Sequence, residues 1–79
     1  MKYSPEQEIT IDNHDLYIIS CINYLGKDYI YAQEFDEKHD DLTMNYFVYE
    51  VGENDIQVND KSLLDELLVK FYEEIKKEM

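Results

Sequence analysis

The chain has 79 residues, and nineteen Asp and Glu against seven Lys, with no Arg, give it a formal net charge of -12. This balance argues against direct binding to nucleic acid or to anionic membranes, because both are polyanions that need clustered cations on the protein. Eight Tyr and three Phe are too much aromatic material for a disordered polymer, so we expect one folded domain over residues 1–79.

No segment approaches the roughly 20 apolar residues of a membrane-spanning helix, and the first ten residues lack the apolar core of a signal peptide. We therefore expect a cytoplasmic protein. The single cysteine, Cys21, lies in the apolar run IISCI. It has no partner for an internal disulfide, and the run predicts a buried, inert thiol.

The N-terminal part of the chain predicts a lead-in, a strand and a turn. Residues 1–8 show no periodicity and are expected to fray, whereas the first strand is predicted to start at Ile9 in EITI. Asn13 and His14 with their flanking aspartates predict a turn, because Asn and Asp tolerate left-handed backbone.

Four further strands are predicted between Asp15 and Val58. Residues 15–24 are rich in β-branched and aromatic side chains, and Gly26 marks a tight reversal into the strand of residues 28–36. Four acids within residues 36–42 predict a solvated loop. The strand of residues 43–51 follows, and GEND turns it into the short strand DIQV.

Alternation along the predicted strands gives the sheet two different faces. In the strand from 28 to 35, Ile30 and Ala32 share one face. The opposite face is mainly aromatic and carries Tyr29, Tyr31, Gln33 and Phe35. The strand from 43 to 51 divides in the same way, with Tyr46 and Met44 on one face and Tyr49 on the other, and both of its faces keep apolar residues.

After Asn59 the apolar period changes from two to 3.6, which predicts a C-terminal amphipathic helix. Its apolar stripe consists of Leu63, Leu64, Leu67, Leu68, Phe71 and Ile75. Asn59, Asp60 or Ser62 is predicted to cap its start. The predicted fold is therefore α+β, a four- to five-stranded antiparallel sheet with one C-terminal helix packed on one face.

The segments NYLGKDYIYAQEFDE, NYFVYEVGEND and IQVNDKSLLDELLVKFYEE resemble the small acidic bacterial proteins of domain-of-unknown-function family 1292, the YrzB-like proteins. The resemblance covers roughly residues 9 to 75 and implies an antiparallel sheet with a C-terminal helix. It implies no activity and transfers no functional residue. The Tyr-rich strands and the loop around His39 depart from the family pattern, which leaves a specialised relative carried by a phage as an alternative.

Catalytic and metal chemistry find little support in the sequence. A nucleophile needs an oriented base, and the spacing of Cys21 from His14 and His39 predicts none. The acids around His39 lack the glycine and the closing glutamate of a calcium loop and are expected to be a solvated charge run. We predict no enzyme activity, no metal and no cofactor.

The remaining candidate is a protein-binding surface. Three tyrosines of one sheet face are predicted to be ringed by acids, and the predicted contacts are Tyr29, Tyr31, Glu34, Asp36, Glu37, Asp40, Asp41, Tyr46 and Glu50. Tyrosine supplies a large contact area at low entropic cost. The alternative is that these tyrosines form a second small core, against the N-terminal segment or in a dimer seam.

Two functions follow from this surface. In the first, the protein is a regulator or inhibitor that occupies a basic surface of a partner, in the extreme case one that normally holds DNA or RNA, as a phage-encoded DNA mimic or anti-CRISPR protein does. In the second, it is a housekeeping YrzB-like domain that acts as a homo-oligomer, such as a homodimer, or as an accessory subunit, and its acidity keeps it dissolved.

Overall fold

The structure is a computed structural model that describes residues 1–36, 38 and 41–77. It contains a five-stranded antiparallel sheet in the order β1-β2-β3-β4-β5 and one C-terminal helix, which confirms the predicted α+β class. The elements are β1 (Glu8–Ile11), β2 (His14–Tyr24), β3 (Lys27–Asp36), β4 (Asp41–Val51), β5 (Ile56–Gln57) and α1 (Lys61–Lys77). Within the described ranges no helix has the length and apolar character that crossing a membrane requires.

Two tight turns connect the first three strands. Asp12–Asn13 joins Ile11 to His14, and Leu25–Gly26 joins the next pair of strands. All four turn residues have positive φ, between 52° and 80°, as a type I′ hairpin turn requires. The predicted turn at Asn13 and His14 is therefore wrong by one position, because His14 is the first residue of β2.

The helix begins at Lys61 and is capped by Asp60. The Asp60 Oδ1 atom accepts hydrogen bonds from the backbone N–H of Ser62 at 2.9 Å and of Leu63 at 3.3 Å. These two donors have no partner within the first turn of a helix, so the carboxylate satisfies them and its charge suits the positive end of the helix dipole. Of the three predicted caps, Asp60 is the one the structure uses.

The helix covers one face of the sheet, which we call the helix face. Its core contains Tyr29, Val48 and Val58 from the sheet side and Leu67 and Phe71 from α1, all buried. The rings of Tyr31 and Phe71 also lie 5.4 Å apart. The leucine stripe therefore packs on the aromatic side of the sheet, not on its aliphatic side.

The opposite face, which we call the strap face, has its own core and no helix above it. Leu16, Ile18, Ile30, Ala32 and Tyr49 are buried there together with Ile11. β1 and β4 are separated by two strands in the sheet, so the shared cluster requires the sheet to curl over its own aliphatic face. A register shift between Ile18 and Ser20 marks a bulge, and bulges increase local twist.

Residues 1–7, which we call the N-terminal strap, close the strap face. The Lys2 ammonium contacts Asp55 Oδ1 at 3.1 Å, and the Tyr3 hydroxyl donates a hydrogen bond to the same carboxylate. Backbone hydrogen bonds join Glu6 N–H to Ile18 O at 2.8 Å and Ile18 N–H to Gln7 O at 2.9 Å. The expectation that this segment frays is therefore wrong.

Leu67→Asp is expected to unfold the protein. Leu67 is fully buried, and an unpaired carboxylate at that site destabilises the fold strongly. We expect this cost to exceed the whole free energy of unfolding of a domain of this size, which is about 0.05–0.15 kcal/mol per residue. Far-UV circular dichroism and urea denaturation measure the loss. Val69→Asp, on the exposed side of the same helix, serves as the control and should remain folded; two equally folded variants would contradict the helix packing.

Tyr3→Phe is expected to change how stability depends on alkaline pH. Burial and the hydrogen bond to Asp55 raise the pKa of Tyr3 from 10.0 to about 12. Because the folded state favours the protonated Tyr3 hydroxyl, this preference contributes fully to stability below pH 10. The contribution is lost as the pH rises from 10 towards 12. The free energy of unfolding of wild type should fall in this window by more than that of Tyr3→Phe.

At neutral pH the same substitution should cost about 1 kcal/mol, the usual net value of one hydrogen bond. Tyr72→Phe, on an exposed helix position, provides the matched control and should leave both the neutral stability and the alkaline loss unchanged. Identical pH profiles for Tyr3→Phe and wild type would show that the strap is not held by this hydroxyl.

Candidate protein-binding surface

The helix face extends beyond the area that the helix covers. The row of Tyr31 lies under Phe71, whereas the next cross-strand row runs through Tyr17, Gln33 and Tyr46. Tyr46 is 45% exposed and its ring stacks on that of Tyr31 at 5.7 Å. The series Tyr46, Tyr31 and Phe71 therefore connects the surface to the core.

Beyond the helix, apolar side chains remain in contact with solvent and form what we call the apolar patch. Its members are Tyr17, Phe35, Leu42, Met44 and Tyr46. Met44 is 83% exposed and Leu42 53%. Tyr17, Phe35 and Leu42 line one shallow depression of about 160 Å³. Apolar residues that are exposed or half-buried at one end of a sheet are typical of interaction sites, whereas isolated apolar residues are not informative.

A bulge in β4 directs part of this patch outward. The register moves from Gln33 opposite Tyr46 to Phe35 opposite Leu42, so β4 contains two more residues than β3 over this interval. The Thr43 hydroxyl donates to the Glu34 carbonyl at 2.9 Å and accepts from the backbone N–H of Asn45 at 3.2 Å. One side chain thereby satisfies backbone groups that the bulge removes from the ladder.

Acidic residues surround the same end of the sheet, and we call them the acidic pole. The pole consists of Asp12, Asp15, Glu34, Asp36 and Asp41. It forms because the β1–β2 turn, the end of β3 and the start of β4 meet there. Asp36 and Asp41 are direct partners in the β3–β4 register, so the predicted loop of residues 36–42 is shorter than expected. Opposed like charges destabilise a sheet.

His14 and Glu34 form the main internal contact of the pole. The His14 Nδ1 atom lies 2.5 Å from Glu34 Oε2, and the His14 ring packs on Phe47 with centroids 4.9 Å apart. Asn45 Nδ2 donates to the other Glu34 oxygen at 3.0 Å. The hydrogen bonds from Asn45 and His14 lower the pKa of Glu34 below its ordinary value, so this carboxylate is charged at neutral pH.

The structure separates the three predicted tyrosine contacts. Tyr29 is 3% exposed and belongs to the core under the helix, so its prediction as a surface contact is wrong. Tyr31 is half-buried between Phe71 and Tyr46. Only Tyr46 is exposed. The predicted second core is present for Tyr29, but the C-terminal helix forms it, not the N-terminal segment.

The structure also separates the predicted acidic contacts. Glu34, Asp36 and Asp41 meet at the acidic pole, whereas Glu50 lies at the opposite end of the sheet. Its carboxylate pairs there with the Lys27 ammonium at 3.3 Å. Glu37 and Asp40 lie outside the described residues.

Four residues of the apolar patch were not among the predicted contacts: Tyr17, Phe35, Leu42 and Met44. The signal was present in part, because alternation places Phe35 on the aromatic face and Met44 on the face of Tyr46. Alternation does not show which row of that face the helix leaves uncovered, because that depends on where the helix crosses the sheet.

The structure does not bring Cys21 and His14 together. The two residues are seven positions apart on β2, which at about 3.3 Å per residue separates them by roughly 20 Å. The Cys21 thiol instead lies 3.8 Å from the Tyr3 carbonyl. Among the described residues, no group of three or more His, Cys, Asp and Glu has an arrangement that holds a metal ion. His39 lies outside that part of the chain.

Comparisons with protein-family models, with curated proteins and with solved structures find no match for this chain.

Thr43→Val is expected to lower the free energy of unfolding by about 1–2 kcal/mol, because two hydrogen bonds of the bulge lose their side-chain partner. The amide of Asn45 should then exchange with solvent faster. Thr10→Val is the matched control, since the Thr10 hydroxyl donates a hydrogen bond to the Asp15 side chain at 3.0 Å and, among the described residues, satisfies no backbone group. Equal losses in the two variants would contradict a special role for Thr43 in the bulge.

Proposed function

We propose that this protein is a non-enzymatic binding protein that occupies a basic surface of a partner protein, as a regulator or inhibitor. The observation that supports this proposal is the position of the apolar patch beside the acidic pole. Protein interfaces combine an apolar centre with a charged or polar rim, and aromatic residues and Met are enriched in the centre. The two surface groups have this arrangement.

The distribution of lysines supports a cationic partner. Four of them pair with acids away from the pole, in Lys2–Asp55, Lys27–Glu50, Lys70–Glu73 and Lys77–Glu74. At the pole the described cationic groups are Lys38 and, when protonated, His14. The carboxylates there repel one another, and a basic surface would relieve that repulsion. Complementary charge also accelerates encounter with the partner.

Within this class, we propose a partner whose basic surface normally holds DNA or RNA. Carboxylates replace phosphates in such a complex, and duplex DNA presents one charge per about 1.7 Å of its axis. A phage-encoded inhibitor of the DNA-mimic or anti-CRISPR type fits this chemistry. Displacement of a DNA oligonucleotide from the captured partner is the specific readout for this version.

A second candidate is a housekeeping domain similar to family 1292 that acts as a homodimer or accessory subunit. The specific observation in its favour is the exposed series Leu42, Met44 and Tyr46 on β4, which a second copy would cover. This candidate predicts a dimer that persists at high salt in size-exclusion chromatography, whereas the first predicts a monomer with a salt-sensitive partner.

The triple variant Asp15→Asn, Asp36→Asn, Asp41→Asn is expected to lose partner binding. Wild-type protein on beads should capture a basic protein from host lysate, and the purified partner should associate about tenfold or more slowly with the variant, because steering depends on local charge. Surface plasmon resonance across a salt series measures the association rate. The wild-type rate should fall as salt rises.

The control is Glu53→Gln, Asp65→Asn, Glu73→Gln, which removes the same number of negative charges from exposed positions outside the pole. This control should retain most of the wild-type association rate. Binding that is indifferent to ionic strength, or an equal loss in both triple variants, would contradict the proposed site.

A further inference from the structure

β4 is longer than the strand that protects its outer edge. β5 pairs only with Tyr49 and Glu50, and the last backbone bond on this side joins Val58 N–H to Val48 O at 2.8 Å. Alternate residues of an antiparallel strand direct their backbone groups to the same edge. The N–H and C=O of Tyr46 therefore face the side that β5 has left, where no described strand follows.

An apolar groove lies beside this open edge. It has a volume of about 280 Å³ and runs between β4 and the first half of the helix. Its walls include Tyr46, Val48, Val58, Leu64 and Leu68. This volume lies near the lower limit of the about 300–1,000 Å³ of pockets that hold whole small molecules. Because the groove lies beside the open edge, a large side chain of a segment paired with that edge can enter it.

Charge decides which occupant fits. A second copy would bring another chain with a net charge of -12 against the same edge. Asp41 begins β4 and Asp36 is its partner in the register, so the edge is acidic at its exposed end. An extended cationic segment of a different protein meets complementary charge here, whereas a second copy meets repulsion.

From these three observations we propose that the partner contributes a short extended segment that pairs with the open edge of β4, places one large apolar side chain in the groove, and presents lysine or arginine to the acidic pole. This binding mode is strand addition, in which backbone bonds supply affinity and a pocket for alternate side chains supplies specificity. The bulge at Thr43 and Asn45 interrupts the edge, so the added strand is short. The inference rests on the proposed function and specifies its binding mode.

The test uses two synthetic peptides with lysine at alternate positions, one with a single leucine and one with serine in its place. The leucine peptide should bind wild-type protein about tenfold more tightly, because only leucine gains from burial in the groove. Fluorescence anisotropy across a salt series measures both affinities. Two further leucine peptides are N-methylated, each on a different set of alternate residues. Their affinities should differ, because an added strand uses the backbone N–H groups of only one of its edges.

Tyr46→Ser removes one wall of the groove and should abolish the preference for leucine. Tyr72→Ser, at an exposed helix position outside the groove, should retain it. Equal binding of the leucine and serine peptides would overturn strand addition into the groove, yet would leave the charge-based function intact, because the acidic-pole variant tests that function separately. Failure of both peptides to bind, or a dimer that Tyr46→Ser converts to monomer, would also overturn the inference.

Discussion

An antiparallel sheet with apolar side chains on both faces needs two covers, and the described part of this chain has one helix. The helix takes the aromatic face and buries Tyr29 with Leu67 and Phe71. The aliphatic face is closed by curling of the sheet and by the N-terminal strap, because no second helix is present in the described chain. The helix cannot reach the whole of its own face, and the row of Tyr46 is left in solvent. The candidate surface is therefore a direct result of how the core is covered.

The negative charges are balanced differently in two parts of the molecule. Where the N-terminal strap contacts Asp55, the negative charge is neutralised locally. Burial acts to raise the pKa of Asp55, but hydrogen bonds from Tyr3, Lys2 and the Gly52 amide hold this pKa below its ordinary value. At the acidic pole, Asp36 faces Asp41 directly, and the strands meet there without a comparable set of lysines among the described residues. The fold tolerates this repulsion because exposed charges interact weakly in water. Charge interactions become stronger wherever water is excluded from them.

Most of the fold was accessible from local sequence pattern, because strand alternation, tight turns and helical period are properties of neighbouring residues. The face assignment in β3 and the leucine stripe of α1 are of this kind. The strap was not accessible, since it depends on contacts between Tyr3 and a residue far along the chain. The site was only partly accessible for a related reason. Its acids could be named from composition, but whether Tyr29 or Tyr46 is exposed depends on where the helix crosses the sheet.

The strap also affects the order in which the chain can become native. The meander of β1 to β4 joins strands that are adjacent in sequence, and such local pairing forms quickly. The contact between Tyr3 and Asp55 spans 52 positions, so the strap reaches its site only once the segment between β4 and β5 is in place. We expect the strap to dock after the meander has formed. During that interval the aliphatic face is open, and chaperones or a neighbouring nascent chain have access to it.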